Sequence, residues 1–333
     1  MKDIICYKLR FTAPLHLGTA WEGYEDLDDV LHSDTLFSAI MNVFPSLFDD
    51  DIENLCMNPP FLCSSAFPFY RNRYFFPRPM LPLIREKSDL NAPAAFKKLK
   101  RIRYLEKGIF ERVLRGERFD ADSINISAYG KLWLESPAES QNIKIFDVRE
   151  TPRIVKDRIH DSTTIFYFSQ MSFAKNAGFF FLCKYLNMDF RQKTEAVLRL
   201  LGDEGLGADR SVGKGNFVLE IDDSFTLSVP ESSERFTSLS LFHPRREDIA
   251  GGILKNPAYD IVERGGWSTS PEMPMVWKGR VRMFSEGSVF SGNPEKSYGD
   301  IVRLMEKGGI AKHSIFRNGM AFTLPCISKG DAQ

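Results

Sequence analysis

The apolar positions of this chain change period several times, and each change predicts an element. Ile5, Tyr7, Leu9 and Phe11 alternate with Cys6, Lys8 and Arg10, which predicts a strand with one apolar and one mixed face. In HSDTLFSAIMNVF the spacing lengthens to i, i+4, i+8 at Leu36, Ile40 and Phe44, the period of a helix, with Ser33 or Asp34 as its cap. Far downstream, the aromatic runs TTIFYFSQM and GFFFLCKYL flank AKNAG and read as a hairpin. Asp189 and Gln192 then have the spacing of a capping box before a helix that ends near Leu201. A glycine-rich loop follows, and FVLEI, Phe217 to Ile221, reads as a strand.

The resulting order, β-α-β-β-α-β, is that of the ferredoxin-like (RRM-like) split βαβ, an α+β fold. It requires a long insertion, residues 45–160, between helix one and strand two. Within the insertion, FPFYRNRYFFPRP reads as an aromatic hairpin turning near Arg71 and Asn72. Lys97 to Arg118 is helix-like, with nine basic against three acidic residues and hence a net +6. Such a run is either a solvated helix face or a surface for RNA or a partner. After the acidic stretch Asp222 to Glu234, SLSLFHP reads as a short strand and Arg246 to Leu254 as a helix. YDIVERGGW and VWKGRVRMF read as strands, and Ile301 to Lys307 as a further helix. The expectation is two domains, residues 1–222 and 223–333, the second a degenerate ferredoxin-like copy of the first.

Composition narrows the function. The 333 residues are 43% hydrophobic, enough for two cores. Forty-four basic residues balance 44 acidic ones, so no global field draws in a nucleic acid and any such site must be local. Cys6, Cys56, Cys63, Cys183 and Cys326 form no CxxC pair and no even disulfide framework, which predicts a reducing compartment and no zinc site. The start, MKDIICYKLRF, lacks a signal-peptide core, and no run approaches the roughly 18 apolar residues of a spanning helix. A cytoplasmic protein with no membrane partner, no metal and no cofactor is expected. Glu22, Glu25, Asp26, Asp28 and Asp29 do not match an EF-hand loop and suit an exposed loop or a basic partner better than a cation.

The densest candidate chemistry lies in GLGADRSVGKGNF, Gly205 to Phe217. Gly205, Gly207, Gly213 and Gly215 free the backbone to approach a ligand, Arg210 and Lys214 add charge, and Ser211 adds a hydroxyl. Two familiar phosphate loops do not fit. A GxGxxG turn needs glycine at Arg210, and a Walker loop needs Ser or Thr where Gly215 follows Lys214. Both also run strand, loop, helix, whereas the order here is helix, loop, strand. A glycine-rich connection without a ligand remains the alternative. His16 and His32 lie near the ends of strand one and helix one, where imidazoles could perform acid-base cleavage of RNA, contact RNA, or serve as structural groups. No Lys or Tyr partner stands beside them, which disfavours catalysis. Arg153, Lys156 and Arg158 precede the predicted strand two, with Asp157 able to pair with Arg158. Lys8 and Arg10 either meet RNA across an open sheet or form a solvated edge.

PLHLG, HSDTLFSAI, Asp157-Arg158, GLGADRSVGKG, SLSLFHP, RGGW and EGSVF occur in this order. In these motifs the chain resembles a RAMP-superfamily CRISPR protein, and within that group subunit four of the type III-A (Csm) effector complex. The resemblance covers nearly the whole length and departs at Ala208, where the family often has a further glycine. It implies a pair of ferredoxin-like domains that hold the repeat-derived 5′ tag of the guide RNA and anchor the large polymerase-like subunit, beside a neighbouring RAMP backbone subunit. It implies a scaffold without catalysis of its own. Under it the glycine loop, His16, His32, Arg153 and Arg158 are expected to contact RNA, with Asp209 fixing Arg210. An inserted hairpin acts in this family as a thumb between RNA segments. That role falls to the hairpin of Phe67, Phe69, Tyr70, Tyr74, Phe75 and Phe76, with Arg71 and Arg73 near its exposed tip. The rival readings are a metal-independent endoribonuclease that processes guide precursors, a phosphate- or nucleotide-binding enzyme, and the corresponding type III-B subunit.

Overall fold

The alternating N-terminal segment forms β1 (Ile4–Phe11), and aromatic and aliphatic side chains on its neighbours bury it on both faces. The computed structural model describes residues 4–18, 27–84, 99–120, 123–127, 131–136, 143–157, 159–268, 270, 276–309 and 311–327. After β1 come α1 (Ser33–Val43), α2 (Ile52–Met57), β2 (Phe61–Cys63), β3 (Phe67–Tyr70), β4 (Arg73–Pro77) and β5 (Tyr104–Glu106). Next are α3 (Lys107–Leu114), β6 (Asn125–Ile126), β7 (Leu132–Leu134), β8 (Phe146–Lys156), β9 (Thr163–Phe173), β10 (Ala177–Tyr185), α4 (Phe190–Glu204) and β11 (Phe217–Asp222). The C-terminal part holds β12 (Arg235–Ser238), α5 (Arg246–Ala250), β13 (Ile261–Arg264), β14 (Val281–Phe284), β15 (Val289–Ser291), β16 (Gly299–Met305), β17 (Ile315–Met320) and β18 (Thr323–Pro325).

One nine-stranded sheet runs β11-β1-β10-β3-β4-β5-β7-β6, with β2 also on β10. Its pairs are antiparallel except β5 with β7. The run Phe179 to Cys183 is wholly buried, as a central strand covered on both faces must be. The C-terminal part forms separate small sheets, β15-β12-β18, β13-β14 and β16-β17. Leu239, Val289, Phe322, Leu324 and Cys326 nevertheless pack into the main core. All five cysteines are buried.

Several expectations require correction. TTIFYFSQM does not pair with GFFFLCKYL: β9 pairs along its full length with β8, from Phe146 opposite Phe173 to Lys156 opposite Thr163. The strand beside β10, opposite β1, is β3 with β2, which follows α2 directly. The long intervening segment therefore comes after that strand instead of between helix one and strand two. The error has a plain cause, because an aromatic run carries no information about which of two sequence neighbours it will pair with. Tyr104–Glu106 is a strand and only Lys107–Leu114 of the basic segment is described as helix beyond it. Ile301 to Met305 belongs to β16, and SLSLFHP lies just beyond β12 apart from Ser238. Asp189 makes no side-chain cap, and helix one is preceded by His32, whose side chain does not cap either. Ser33 and Asp34 lie inside the first turn. The turn at Arg71 and Asn72 stands as expected, with Tyr70 opposite Arg73.

Gly178 marks the tightest place in the sheet, where a Cβ would lie 2.2 Å from the Leu9 carbonyl oxygen and 2.9 Å from the Phe69 ring. Gly178→Ala is expected to cost about 1–3 kcal/mol through this overpacking. The midpoint of urea unfolding reads the effect, and an unchanged midpoint would show that β1 and β3 move aside freely.

Candidate nucleic-acid interface

A cleft of about 640 Å³ opens where the N-terminal and C-terminal parts meet. His16, the start of α1, Gly205 to Ala208, Arg210, the Arg264–Ser268 segment, Trp277, Lys278, His313 and Arg317 all line it. Its floor is a buried cluster of charges. Asp34 in the first turn of α1 accepts from Arg264 Nε and Nη2, each at 3.2 Å, and from Arg317 Nη1. Arg264 also donates to Thr35 Oγ1 at 2.9 Å and lies 3.7 Å from Asp28, while Arg317 Nη2 donates to the Gly265 carbonyl at 3.1 Å. His32 sits between two carboxylates, with Nδ1 2.7 Å from Glu286 and Nε2 3.0 Å from Asp28. Glu286 accepts further from Ser65 Oγ, whose oxygen in turn accepts from Ser33 N–H at 2.8 Å.

The chemistry of this cluster follows from burial. Asp34 is only 2% exposed, and burial alone would raise its pKa; Arg264 and Arg317 outweigh that and hold its carboxyl well below the usual carboxylate range. Burial likewise opposes charge on His32, but Glu286 and Asp28 prevail and its pKa is pushed up to about 10. Glu286 and Asp28 are lowered against burial by the imidazolium they face. His32 is therefore a cationic strut with both ring nitrogens engaged, and a proton held this firmly is not available near neutral pH.

The glycine loop is built differently from the phosphate cradle its composition suggests. A Cβ on Gly205 would lie 2.3 Å from the Lys214 carbonyl, on Gly207 2.2 Å from that of His16, and on Gly215 1.9 Å from that of Leu206. These glycines adopt positive φ and let the chain pack on itself. The N–H groups of Gly205, Leu206, Ala208, Val212, Gly213, Lys214 and Gly215 all donate to backbone carbonyls, including those of Pro14 and His16. What the loop offers a ligand is therefore mainly side chains. Ser211 is exposed, and Arg210 and Lys214 are half-buried. Asp209 does not fix Arg210; it pairs with Arg153 at 2.5 Å, and Arg153 stacks over Phe168 at 4.0 Å.

His16 is buried against the same aromatic ring, 4.3 Å from Phe168, and its Nδ1 donates to the Ser169 carbonyl at 2.6 Å. His16 also lines the cleft. Arg153 and His16 thus tie the loop to the β8–β9 hairpin. Arg71 is exposed at the tip of the β3–β4 turn with φ of +55°, whereas Arg73 is committed to Glu106 at 2.6 Å. Neither residue is among those lining the cleft, and Phe67, Phe69, Tyr74, Phe75 and Phe76 are core. Lys8 is buried over the Phe69 and Tyr74 rings and Arg10 pairs with Glu220 at 2.8 Å, so neither faces an open sheet. Arg158 lies outside the described residues, as do Glu22, Glu25 and Asp26. Asp28 joins the charge cluster, and Asp29 pairs with Arg103 and Lys131. No cluster able to hold a metal ion occurs among the described residues.

Sequence reasoning did not single out Arg264, Glu286, Arg317, Trp267, Trp277 or Lys278. The signal was present for three of them, since RGGW carries Arg264 and Trp267, and EGSVF carries Glu286, but a motif does not say what its residues touch. Arg317 and Lys278 lie in no motif. Lys278 has its pKa lowered by burial and by the nearby Arg317 charge.

The fold is similar to that of chains solved within CRISPR assemblies. A solved Csm3-Csm4 subcomplex of the type III-A CRISPR-Cas interference complex contains a chain matched at TM-score 0.65 and 20% identity, over 97% of this chain and 99% of that one. A Csm1-Csm4 cassette in complex with cA4 contains one at TM-score 0.60 and 20% identity, over 98% of each. Residues 231–326 match the model of the CRISPR Csm4 C-terminal domain. Curated Csm4 proteins of Thermococcus onnurineus and Methanocaldococcus jannaschii are each 25% identical, over 89% and 98% of this chain and 91% and 98% of their own lengths. The chain is thus similar to Csm4 proteins over nearly its whole length, and its C-terminal part matches their family model.

Two outcomes test the charge cluster. Asp34→Ala strands two arginines beside one another and is expected to cost about 3–5 kcal/mol of stability. His32 supplies a pH dependence: its folded pKa lies above the unfolded value of about 6.5, so its contribution is complete below that value and is lost as pH climbs through about 10. The stability difference between the wild type and His32→Asn should shrink between pH 7 and pH 10, as read by urea unfolding. A difference constant over that range would mean His32 is neutral in the fold.

Proposed function

We propose that this chain is the guide-RNA-binding scaffold subunit of a type III-A CRISPR ribonucleoprotein, holding the repeat-derived 5′ tag and anchoring the large polymerase-like subunit beside a RAMP backbone subunit. The observation that carries this reading is the cleft, where Arg210, Arg264, Lys278 and Arg317 face two carboxylates, Asp28 and Asp34. Its positive charge is concentrated in a chain whose formal net charge is zero. That local excess is what a phosphate backbone requires. The solved relatives that share the fold occur with Csm1 and with Csm3, which supports the same two partners here.

Under this reading the chain divides into residues 1–222, ferredoxin-like, and residues 223–333, a degenerate ferredoxin-like copy. The large sheet ends with β11 at Asp222, and the family match begins at residue 231. The thumb is the β8–β9 hairpin in place of the β3–β4 hairpin. Ile154, Val155, Ile159, Ile165 and Tyr167 on it are exposed, and it reaches the glycine loop through Arg153 and Asp209. Arg158 falls within this hairpin's sequence.

The scaffold reading is preferred to an endoribonuclease because the histidines are committed. His32 and His313 have both ring nitrogens engaged, while His16, His160 and His243 each have Nδ1 bound to a carbonyl or carboxylate oxygen. No pair is arranged to take a proton from a 2′-hydroxyl and return one to a leaving oxygen.

Binding of tag RNA by the full chain should weaken with salt at about −0.7 log units per log unit for each phosphate neutralised. Arg210→Ala with Lys214→Ala should reduce that slope by about 1.4. A slope unaltered in the double variant would remove the loop from the interface. Incubation with repeat RNA in EDTA is expected to leave the RNA intact, and cleavage that His32→Ala abolishes would establish the endoribonuclease instead.

A further inference from the structure

Trp267 and Trp277 form a feature of the cleft that phosphate binding does not use. Their backbones bridge, with Ser268 N–H donating to the Val276 carbonyl at 2.7 Å and Lys278 N–H to that of Gly266 at 2.8 Å. The two indoles meet edge to face, centroids 5.0 Å apart and planes at 79°. They remain 53% and 37% exposed although both flank the cleft and lie beside its cationic groups. Two rings at nearly a right angle cannot sandwich a planar group, but they make a corner in which one flat heterocycle lies on one indole face with its edge against the other. We propose that this corner is a slot for a single nucleobase turned out of the guide-RNA strand, with Lys278 and Arg210 beside it for the attached phosphates.

The placement of the corner supports this role. Arg264, held bidentately by Asp34, ends β13, and Gly265, whose carbonyl accepts from Arg317, precedes Gly266 and Trp267. The buried cluster therefore fixes the strand from which the indoles project, and a stacking surface fixed before binding loses little freedom on binding. Gly266 adopts φ of +114°, and a Cβ there would meet nothing within 4 Å, so the glycine serves the backbone turn into Trp267 and not close packing. The cleft volume of about 640 Å³ lies within the roughly 300–1,000 Å³ typical of pockets for small ligands and so admits a nucleotide. Aromatic faces beside cations are how unpaired bases are held irrespective of sequence.

This inference rests on the guide-RNA reading, and one experiment separates the two. The affinity of full-length protein for fluorescein-labelled tag RNA is measured for the wild type, Trp267→Ala, Trp267→Phe, and Arg210→Ala with Lys214→Ala. Each protein is also tested with tag RNAs carrying one abasic position at a time. Trp267→Ala should bind about ten-fold more weakly at an unchanged salt slope, and Trp267→Phe should recover most of the loss. One abasic position should weaken the wild type to a similar degree and leave Trp267→Ala unaffected, the non-additivity of a direct contact. If Trp267→Ala binds like the wild type while the Arg210 and Lys214 variant does not, the base slot is wrong and the RNA reading stands. If the wild type binds no tag RNA, both fall. If free AMP, CMP, GMP or UMP competes for the cleft as tightly as the RNA, the slot belongs to a free nucleotide and the proposal is overturned.

Discussion

Asp34 and the two arginines that hold it, Arg264 and Arg317, are the contact on which the arrangement of this protein depends. Asp34 lies in the first turn of α1, Arg264 at the end of β13 and Arg317 on β17, so three segments far apart in sequence meet at one carboxylate. His32, two residues before Asp34, repeats the arrangement with the charges reversed, holding Asp28 and Glu286. Each charge in the cluster is tolerable only because of the others. Removing Asp34 leaves Arg264 and Arg317 without the carboxylate they share, which costs far more than an exposed pair contributes.

The cluster also determines what lies above it. Because Arg264 and Gly265 are anchored, the indoles of Trp267 and Trp277 project at a fixed place. Because α1 begins at the cluster, its N-terminal turn lies beneath the same cleft as Gly207 and Arg210. A hydrophobic contact alone would join the two parts of the chain, as Leu239, Val289 and Phe322 do in the main core, but it would tolerate sliding. A bidentate arginine-carboxylate pair fixes orientation as well as distance. Within the cleft Arg264 and Arg317 are matched inside the cluster, and the positive excess comes from Arg210 and Lys278, which is how a chain with no net charge presents a basic surface in one place.

Much of the N-terminal framework was legible. The alternation of Ile5, Tyr7, Leu9 and Phe11 and the i, i+4, i+8 spacing of Leu36, Ile40 and Phe44 are short-range patterns, and β1 and α1 form where they predict. Strand pairing was not legible, because TTIFYFSQM is equally apolar toward either neighbour. It joined the more distant-looking polar partner FDVRETPRIVK, whose exposed side chains suit a two-stranded arm. The glycine loop shows a subtler limit. Four glycines near two cations suggest backbone donors aimed at phosphate, yet three of those glycines are required by the loop's own carbonyl contacts, and only coordinates reveal that. The histidines were visible as candidates, but their partners, Glu286 and the Ser169 carbonyl, lie more than a hundred residues away.

The central claim, that this cleft and the β8–β9 hairpin carry the guide RNA, is most directly tested by ultraviolet crosslinking of the full chain to its tag RNA, followed by mass spectrometry of the linked peptides. The account predicts links at Arg210 to Lys214, at Trp267 or Trp277, and within residues 146–173. Links confined to a second groove around Glu231, Lys255 and Glu295, with none in the cleft, would contradict it.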